Sequence, residues 1–327
     1  MVAKGVKMKL AHIVPPIWSV NYQLGDYRFA LAHWVKKYGL TYTEPMKSEK
    51  AYVILDNGAF EGETQSEQDI LDAANKLQAD EIVLPDVLGD PKATLSASYK
   101  AYKKFGKYRT MFVPHGQSPE EWKECVDAWV SKIKEAPAES KAGYHTIGIS
   151  PLRYLEGGYQ YTKEMINHVV KLGMPIHLLG CADMSYFTLQ LLPFVNEWEI
   201  RGMDTSYAFA LGARGILLTP DAPKMDLGDP EAYNILNTHQ RRLVALNIAI
   251  LNSWVADGAV DPRGLSDKII RQTASKWVKY YQERFERLEM VMRVCGMSGN
   301  YIVRDNFVNP YKEGDAFNKD YDWLIKI

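Results

Sequence analysis

Three aspartates stand at the same kind of position in this chain. Asp56 ends the run Tyr52-Val-Ile-Leu-Asp56, Asp86 ends Glu81-Ile-Val-Leu-Pro-Asp86, and Asp204 ends Glu199-Ile-Arg-Gly-Met-Asp204. Singly, each would be a helix cap or a turn residue. Together they place carboxylates at the ends of three buried strands, where they can converge. Converging carboxylates can divide their labour, one acting as an ionised nucleophile and another carrying a proton as general acid or base. Other residues sit where they could frame a substrate. His115 opens His115-Gly-Gln117 after Thr110-Met-Phe-Val-Pro and offers a donor and an acceptor to a heterocycle's edge, although a packing role explains a lone histidine as well. Gly148 and Gly180 let backbone amides and carbonyls approach a ligand, although helix–strand packing accounts for them equally. In Asp56-Asn-Gly-Ala-Phe60 the glycine permits a sharp turn, and the Phe60 ring follows where it could lie on a planar group. Asp90 reads as a helix cap. Arg214, in Gly212-Ala-Arg-Gly215, could meet a phosphate.

Much other chemistry loses its usual support. No GxxxxGK(S/T), no GxGxxG at a strand–helix turn, no GxSxG and no HExxH occurs. No lysine ends a strand, which weakens a Schiff-base aldolase or lyase. The cysteines, Cys125, Cys181 and Cys295, form no CxxC or CxC pair, so no metal centre is expected. No cofactor is expected either. Their sparse count fits a reducing cytoplasm. The formal charge of −1 excludes a globally basic nucleic-acid binder but leaves room for a basic face. No apolar run reaches the roughly 18 residues that cross a bilayer, and the N-terminus lacks a signal-peptide core. A cytoplasmic protein is therefore expected.

The elements that must position the acids recur along the chain. Apolar runs at Lys9–Val14, Tyr52–Asp56, Glu81–Asp86, Thr110–His115, His145–Ser150, Pro175–Gly180 and Glu199–Asp204 suit strands buried on both faces. Helical patterns at Ser66–Leu77, Pro91–Phe105, Pro119–Ile133 and Tyr161–Leu172 lie between them, about 30 residues per strand–helix unit. An eighth strand could lie at Tyr27–Trp34, which reads almost equally well as helix. Eight strands predict a (β/α)8 barrel; six or seven would give an open doubly wound sheet. The barrel core is expected over residues 1–220. Residues 221–327 read as a helical extension packed on it, with helices at Pro230–Val255 and Leu265–Val294.

Taken in order, these segments resemble the tRNA-guanine transglycosylase superfamily, most closely its phage and bacterial DpdA-type members, which exchange guanine for 7-deazaguanines in DNA. The likeness rests on Asp56-Asn-Gly-Ala-Phe60, the Asp86 strand end, Val113-Pro-His-Gly116, Ile147-Gly-Ile149, His177-Leu-Leu-Gly180 and Arg201-Gly-Met-Asp204, over about two-thirds of the chain. It implies that Asp204 is the nucleophile and Asp56 the general acid/base. It also implies that Phe60, Asp86, His115, Gly148 and Leu179 surround the base, and that DNA and a 7-deazaguanine such as preQ0 are the substrates. Phage origin would put the protein in a host's cytoplasm. The Cys-rich zinc site of the family's tRNA enzymes has no counterpart here, which favours DNA over tRNA. A histidine stands where a glutamine is usual, and a second aspartate near 204 is missing. Action on tRNA and a non-catalytic accessory barrel that binds nucleic acid remain alternatives, and a homodimer is left open. Phosphate contacts are expected from Lys103 and Lys104 in the basic run Lys100–Arg109, from Arg214, and from Arg241 with Arg242. Trp18, Tyr22 or Tyr207 could add exposed aromatic surface.

Overall fold

The apolar runs become eight strands in a computed structural model, which describes residues 8–257 apart from 23, 24, 26, 48–50, 64, 136–144, 151–157, 182–191, 193–199, 220, 221 and 226. The strands are β1 (Lys9–His12), β2 (Tyr27–Leu31), β3 (Tyr52–Asp56), β4 (Glu81–Val83), β5 (Arg109–Phe112), β6 (Thr146–Ile149), β7 (Ile176–Leu178) and β8 (Ile200–Thr205). The hydrogen-bonded order is β1-β8-β7-β6-β5-β4-β3-β2. All seven ladders are parallel. β1 lies beside β2 at the remaining seam, so the sheet is a nearly closed (β/α)8 barrel. The ambiguous segment proves to be both kinds of element: β2 runs to Leu31 and helix α2 (Ala32–Tyr38) begins at the next residue.

The described helices are α1 (Ser19–Tyr22), α2, α3 (Leu40–Met46), α4 (Glu67–Leu77), α5 (Pro91–Lys104), α6 (Pro119–Glu135), α7 (Gly158–Lys171), α8 (Tyr207–Ala213) and α9 (Thr238–Asp257). Their starts follow from local chemistry. Ser66 accepts from the Asp69 amide and Asp90 from the Ala93 amide, with proline at the first position of α5. Ser118 accepts from the Glu121 amide at 3.2 Å, and the Glu121 carboxylate accepts from the Gln117 amide at 2.7 Å. The outward-facing Arg28 of β2 donates to the carbonyls of Pro45, Met46 and Lys47 at 2.9–3.0 Å, satisfying the end of α3. Between barrel and helices lie Phe112 and Trp129, stacked at 4.5 Å.

The barrel interior carries polar groups as well as apolar ones. At the N-terminal end of the strands Glu81, fully buried, accepts from Tyr52 at 2.8 Å and pairs with Arg201 at 2.7 Å. Arg201 is the extra residue of a bulge: Ile176 pairs with Ile200 but His177 pairs with Gly202. That shift sets the register of everything beyond it on β8, including Asp204.

After β8 the short α8 packs against α9. Gly212 permits this approach, since a Cβ there would lie 2.4 Å from the Val244 amide nitrogen. Asn247 bonds the Leu218 amide at 2.8 Å and the Ile216 carbonyl at 2.9 Å. Contacts also tie this region to the chain's beginning: His12 to Asn252 (3.1 Å), Trp18 to the Tyr233 carbonyl (2.6 Å) and Tyr22 to the Arg241 carbonyl (3.2 Å). The chain divides into two units, Met1–Val260 and Asp261–Ile327. α9 closes the barrel's own helical layer. The second unit, with the helix expected at Leu265–Val294, lies outside the described residues. Among the described residues no helix is long and apolar enough to cross a membrane.

Candidate active site

The candidate residues gather where β3, β4, β5, β7 and β8 end. Asp56 closes β3, and one of its oxygens accepts the Gly58 amide at 2.9 Å. Gly58 has φ +81°, and a Cβ there would press on His33 Nδ1 at 3.0 Å and the Glu63 carbonyl at 3.1 Å, so the turn requires glycine. Burial, then the charges of Glu61, Asp86 and Asp204, raise the Asp56 carboxyl well above the ordinary carboxylate range. Glu61, on the same loop, is raised by desolvation and by the charges of Asp204 and Asp86. These mutual influences put the strand-end acids of β3, β4 and β8 in one electrostatic cluster.

Asp86 is held on both oxygens. Asn57 Nδ2 donates to Oδ1 at 2.8 Å while also donating to the Leu84 carbonyl at 2.7 Å. His115 Nε2 donates to Oδ2 at 2.7 Å. The Gly89 amide points at His115 Nδ1 from 3.4 Å, which leaves the ring proton on Nε2, facing Asp86. His115 is 2% exposed, so its edge is committed to Asp86.

Asp204 is 2% exposed and is gripped from β7. His177 Nε2 donates to Oδ1 at 2.9 Å and the Gly180 amide donates to Oδ2 at 3.0 Å. His177 Nδ1 in turn meets the Tyr27 hydroxyl from β2 at 2.8 Å. One proton per contact gives Tyr27 donating to Nδ1 and His177 donating to the carboxylate. Burial, its largest influence, raises the Tyr27 hydroxyl and keeps its proton in place. Phe29 stacks on the imidazole at 5.6 Å and 9°, and Tyr27 stacks on Tyr52 at 5.9 Å and 10°. Gly202 makes room for this: a Cβ there would stand 2.6 Å from the Tyr27 ring.

The remaining expected residues divide. Gly148 faces inward, and its missing side chain is occupied by Met111 Sδ and Leu179 Cδ1, which a Cβ would meet at 3.0 and 3.1 Å. Gly148 and Leu179 therefore sit together. Phe60, 60% exposed, lies on the loop after β3, and the exposed Val87 and Leu88 lie on the loop after β4. Lys103 and Lys104 occupy the last turn of α5, which leads into the start of β5 at the end of the barrel away from Asp56. Lys104 pairs with Glu67, and Lys103 lies 4.4 Å from the Tyr99 ring. They are therefore not at the mouth. Arg214 ends α8 with its guanidinium over the Tyr233 ring at 5.6 Å. Trp18, Tyr22 and Tyr207 are 3%, 4% and 0% exposed: they are core residues and offer no surface aromatics. Tyr27, Asn57, Glu61 and His177 were not anticipated. The one available signal was a histidine inside the otherwise apolar run Pro175–Gly180.

Among the described residues no group of three or more His, Cys, Asp or Glu is arranged to hold a metal ion. No protein-family model matches the chain, and no curated protein matches it significantly in sequence. Fold and site thus define a (β/α)8 barrel with a group of acids at its strand ends.

Proposed function

We propose that the protein is a base-exchange transglycosylase that replaces guanine in DNA with a 7-deazaguanine of the preQ0 kind. The observation that carries this reading is the unequal treatment of two strand-end acids. Asp204 receives two N–H donors and presents a carboxylate acceptor, as a nucleophile requires. Asp56 is pushed toward its protonated form by burial and by neighbouring acids, as a proton donor requires. Paired carboxylates whose environments diverge are the usual arrangement for double displacement at an anomeric carbon.

In this mechanism an oxygen of Asp204 attacks C1′, the C1′–N9 bond breaks with its electron pair going to the base, and Asp56 supplies the proton that neutralises the departing guanine. The glycosyl–Asp204 ester remains. The incoming base gives a ring proton to Asp56, its nitrogen attacks C1′ from the face that guanine left, and the Asp204 carboxylate departs. Configuration is retained. Phe60, Val87 and Leu88 provide an apolar rim for a planar heterocycle, and Asp56 keeps one oxygen without a hydrogen-bond partner among the described residues. A duplex would have to extrude the target nucleotide.

Incubation with labelled guanine or preQ0 and either plasmid DNA or tRNA, followed by nucleoside mass spectrometry, tests the reading. Label is expected in DNA. Label in tRNA alone would reassign the substrate, and label in neither would end the proposal. Asp204→Asn is expected to abolish exchange and the covalent nucleic-acid adduct.

A further inference from the structure

The acidic pocket creates a problem for a polyanionic substrate. Asp56, Glu61, Asp86 and Asp204 suit a sugar and a base but repel phosphates. The backbone must be held elsewhere, and the outer wall offers a place. A groove of about 610 Å³ is lined by Lys92, Leu95, Ser96, Tyr99, Lys100, Lys103, Lys104 and Lys132. On α5 these residues recur at three- and four-residue steps and so form one face. The stripe begins at Lys92, six residues beyond Asp86, and descends to Lys104. Twelve residues of helix span about 18 Å, the axial rise of roughly five nucleotides on one strand of B-form duplex.

The charges in this groove are unevenly balanced. Glu67 answers Lys100 (3.1 Å) and Lys104. Lys92, Lys103 and Lys132 have no carboxylate partner among the described residues. Lys103 and Lys132, from α5 and α6, are both drawn to the Tyr99 ring, at 4.4 and 5.0 Å from its centre. Two ammonium groups on one half-buried ring repel each other, and an anion placed between them relieves that repulsion. Tyr99 is itself braced by stacking on the buried Tyr102 at 6.3 Å.

We propose that this lysine groove binds the phosphodiester backbone of a nucleic-acid strand, with Lys103 and Lys132 clasping one phosphate over Tyr99. The site is distinct from the pocket, and the inference rests on the base-exchange reading only for the kind of polymer it expects. Phosphate contacts of this type anchor and orient without reading sequence.

The test measures binding of the full chain to a labelled DNA duplex and, separately, to tRNA across a salt series. Lys103→Gln with Lys132→Gln is expected to weaken binding about tenfold or more and to lower the salt slope by about 2. Lys76→Gln with Lys171→Gln, removing equal charge elsewhere, is expected to leave both nearly unchanged. Loss with DNA, with tRNA or with both supports the groove and identifies the polymer. Wild-type affinity and slope in the groove variant, or no binding by the wild type, overturns it. Exchange of labelled base, assayed in parallel, judges the pocket separately: turnover with an unaltered groove variant sinks only the groove, and altered binding without turnover sinks only the reaction.

Discussion

His177 and Asp204 meet at 2.9 Å in the barrel interior, where the imidazole is wholly buried and the carboxylate nearly so. The histidine also touches Tyr27, on the strand beyond the seam, at 2.8 Å. The carboxylate's direction is thereby fixed by groups on β7 and β2. Two donors on its two oxygens also mean that an asparagine at 204 would turn its NH2 toward an N–H whichever way it faced. Relief would require His177 to carry its proton on Nδ1 and Tyr27 to accept it.

Tyr27→Phe removes the hydroxyl that pins the histidine's proton. A neutral hydrogen bond contributes about 1 kcal/mol, so exchange should slow roughly fivefold through kcat, with KM for the base little changed. Nitrogen NMR of His177 should show mixed tautomers. A single unchanged tautomer would mean that Tyr27 does not set it.

Gly202→Ala should be worse than Tyr27→Phe. Its Cβ would meet the Tyr27 ring at 2.6 Å, and that ring is already stacked on Tyr52 and in tilted contact with His177. Overpacking of this kind costs about 1–3 kcal/mol, read as a lower midpoint in denaturant with unchanged slope. Combining it with Tyr27→Ala, which empties the space, should recover part of the loss.

Asp56→Asn addresses linkage. The folded carboxyl titrates above its unfolded value, so the native state holds the extra proton and stability falls as pH rises from the unfolded value through the folded one. Replacing it removes a half-buried charge repelled by Glu61, Asp86 and Asp204. The variant should therefore gain melting temperature at pH 8 relative to wild type, and gain little at pH 4. Equal shifts at both pH values would contradict the assigned burial.

His12 acts with the opposite sign. Burial lowers it from 6.5 to about 4, only partly offset by its bond to Asn252. The unfolded state binds the proton first, so stability present above pH 6.5 is lost as pH falls toward 4, by about 3 kcal/mol. His12→Gln should flatten that acid limb in pH-dependent denaturant melts.

The strands were legible because each is a continuous apolar run, and the acids because each closes such a run. Tyr27–Trp34 was ambiguous for a physical reason: strand and helix abut at Leu31 and Ala32 with no turn residue between them. His177 was hidden because a histidine in a buried strand gives no sign of its partners, which lie 27 and 150 positions away. Lys103 and Lys104 were visible as charge, but sequence alone did not say which end of the barrel the last turn of α5 would reach. The core roles of Trp18 and Tyr22 depend on carbonyls more than 200 residues distant.

The pairing of the first strand with the last imposes an order of events on synthesis. Lys9–His12 finds no sheet partner on β8 until residues 200–205 have emerged, and Asn252 must follow before His12 is covered. At 5–20 residues per second the leading strand waits roughly 10–40 s with its backbone unpaired. Such an interval is long enough for a nascent chain to need a chaperone's cover or to pair with a neighbour on the same message.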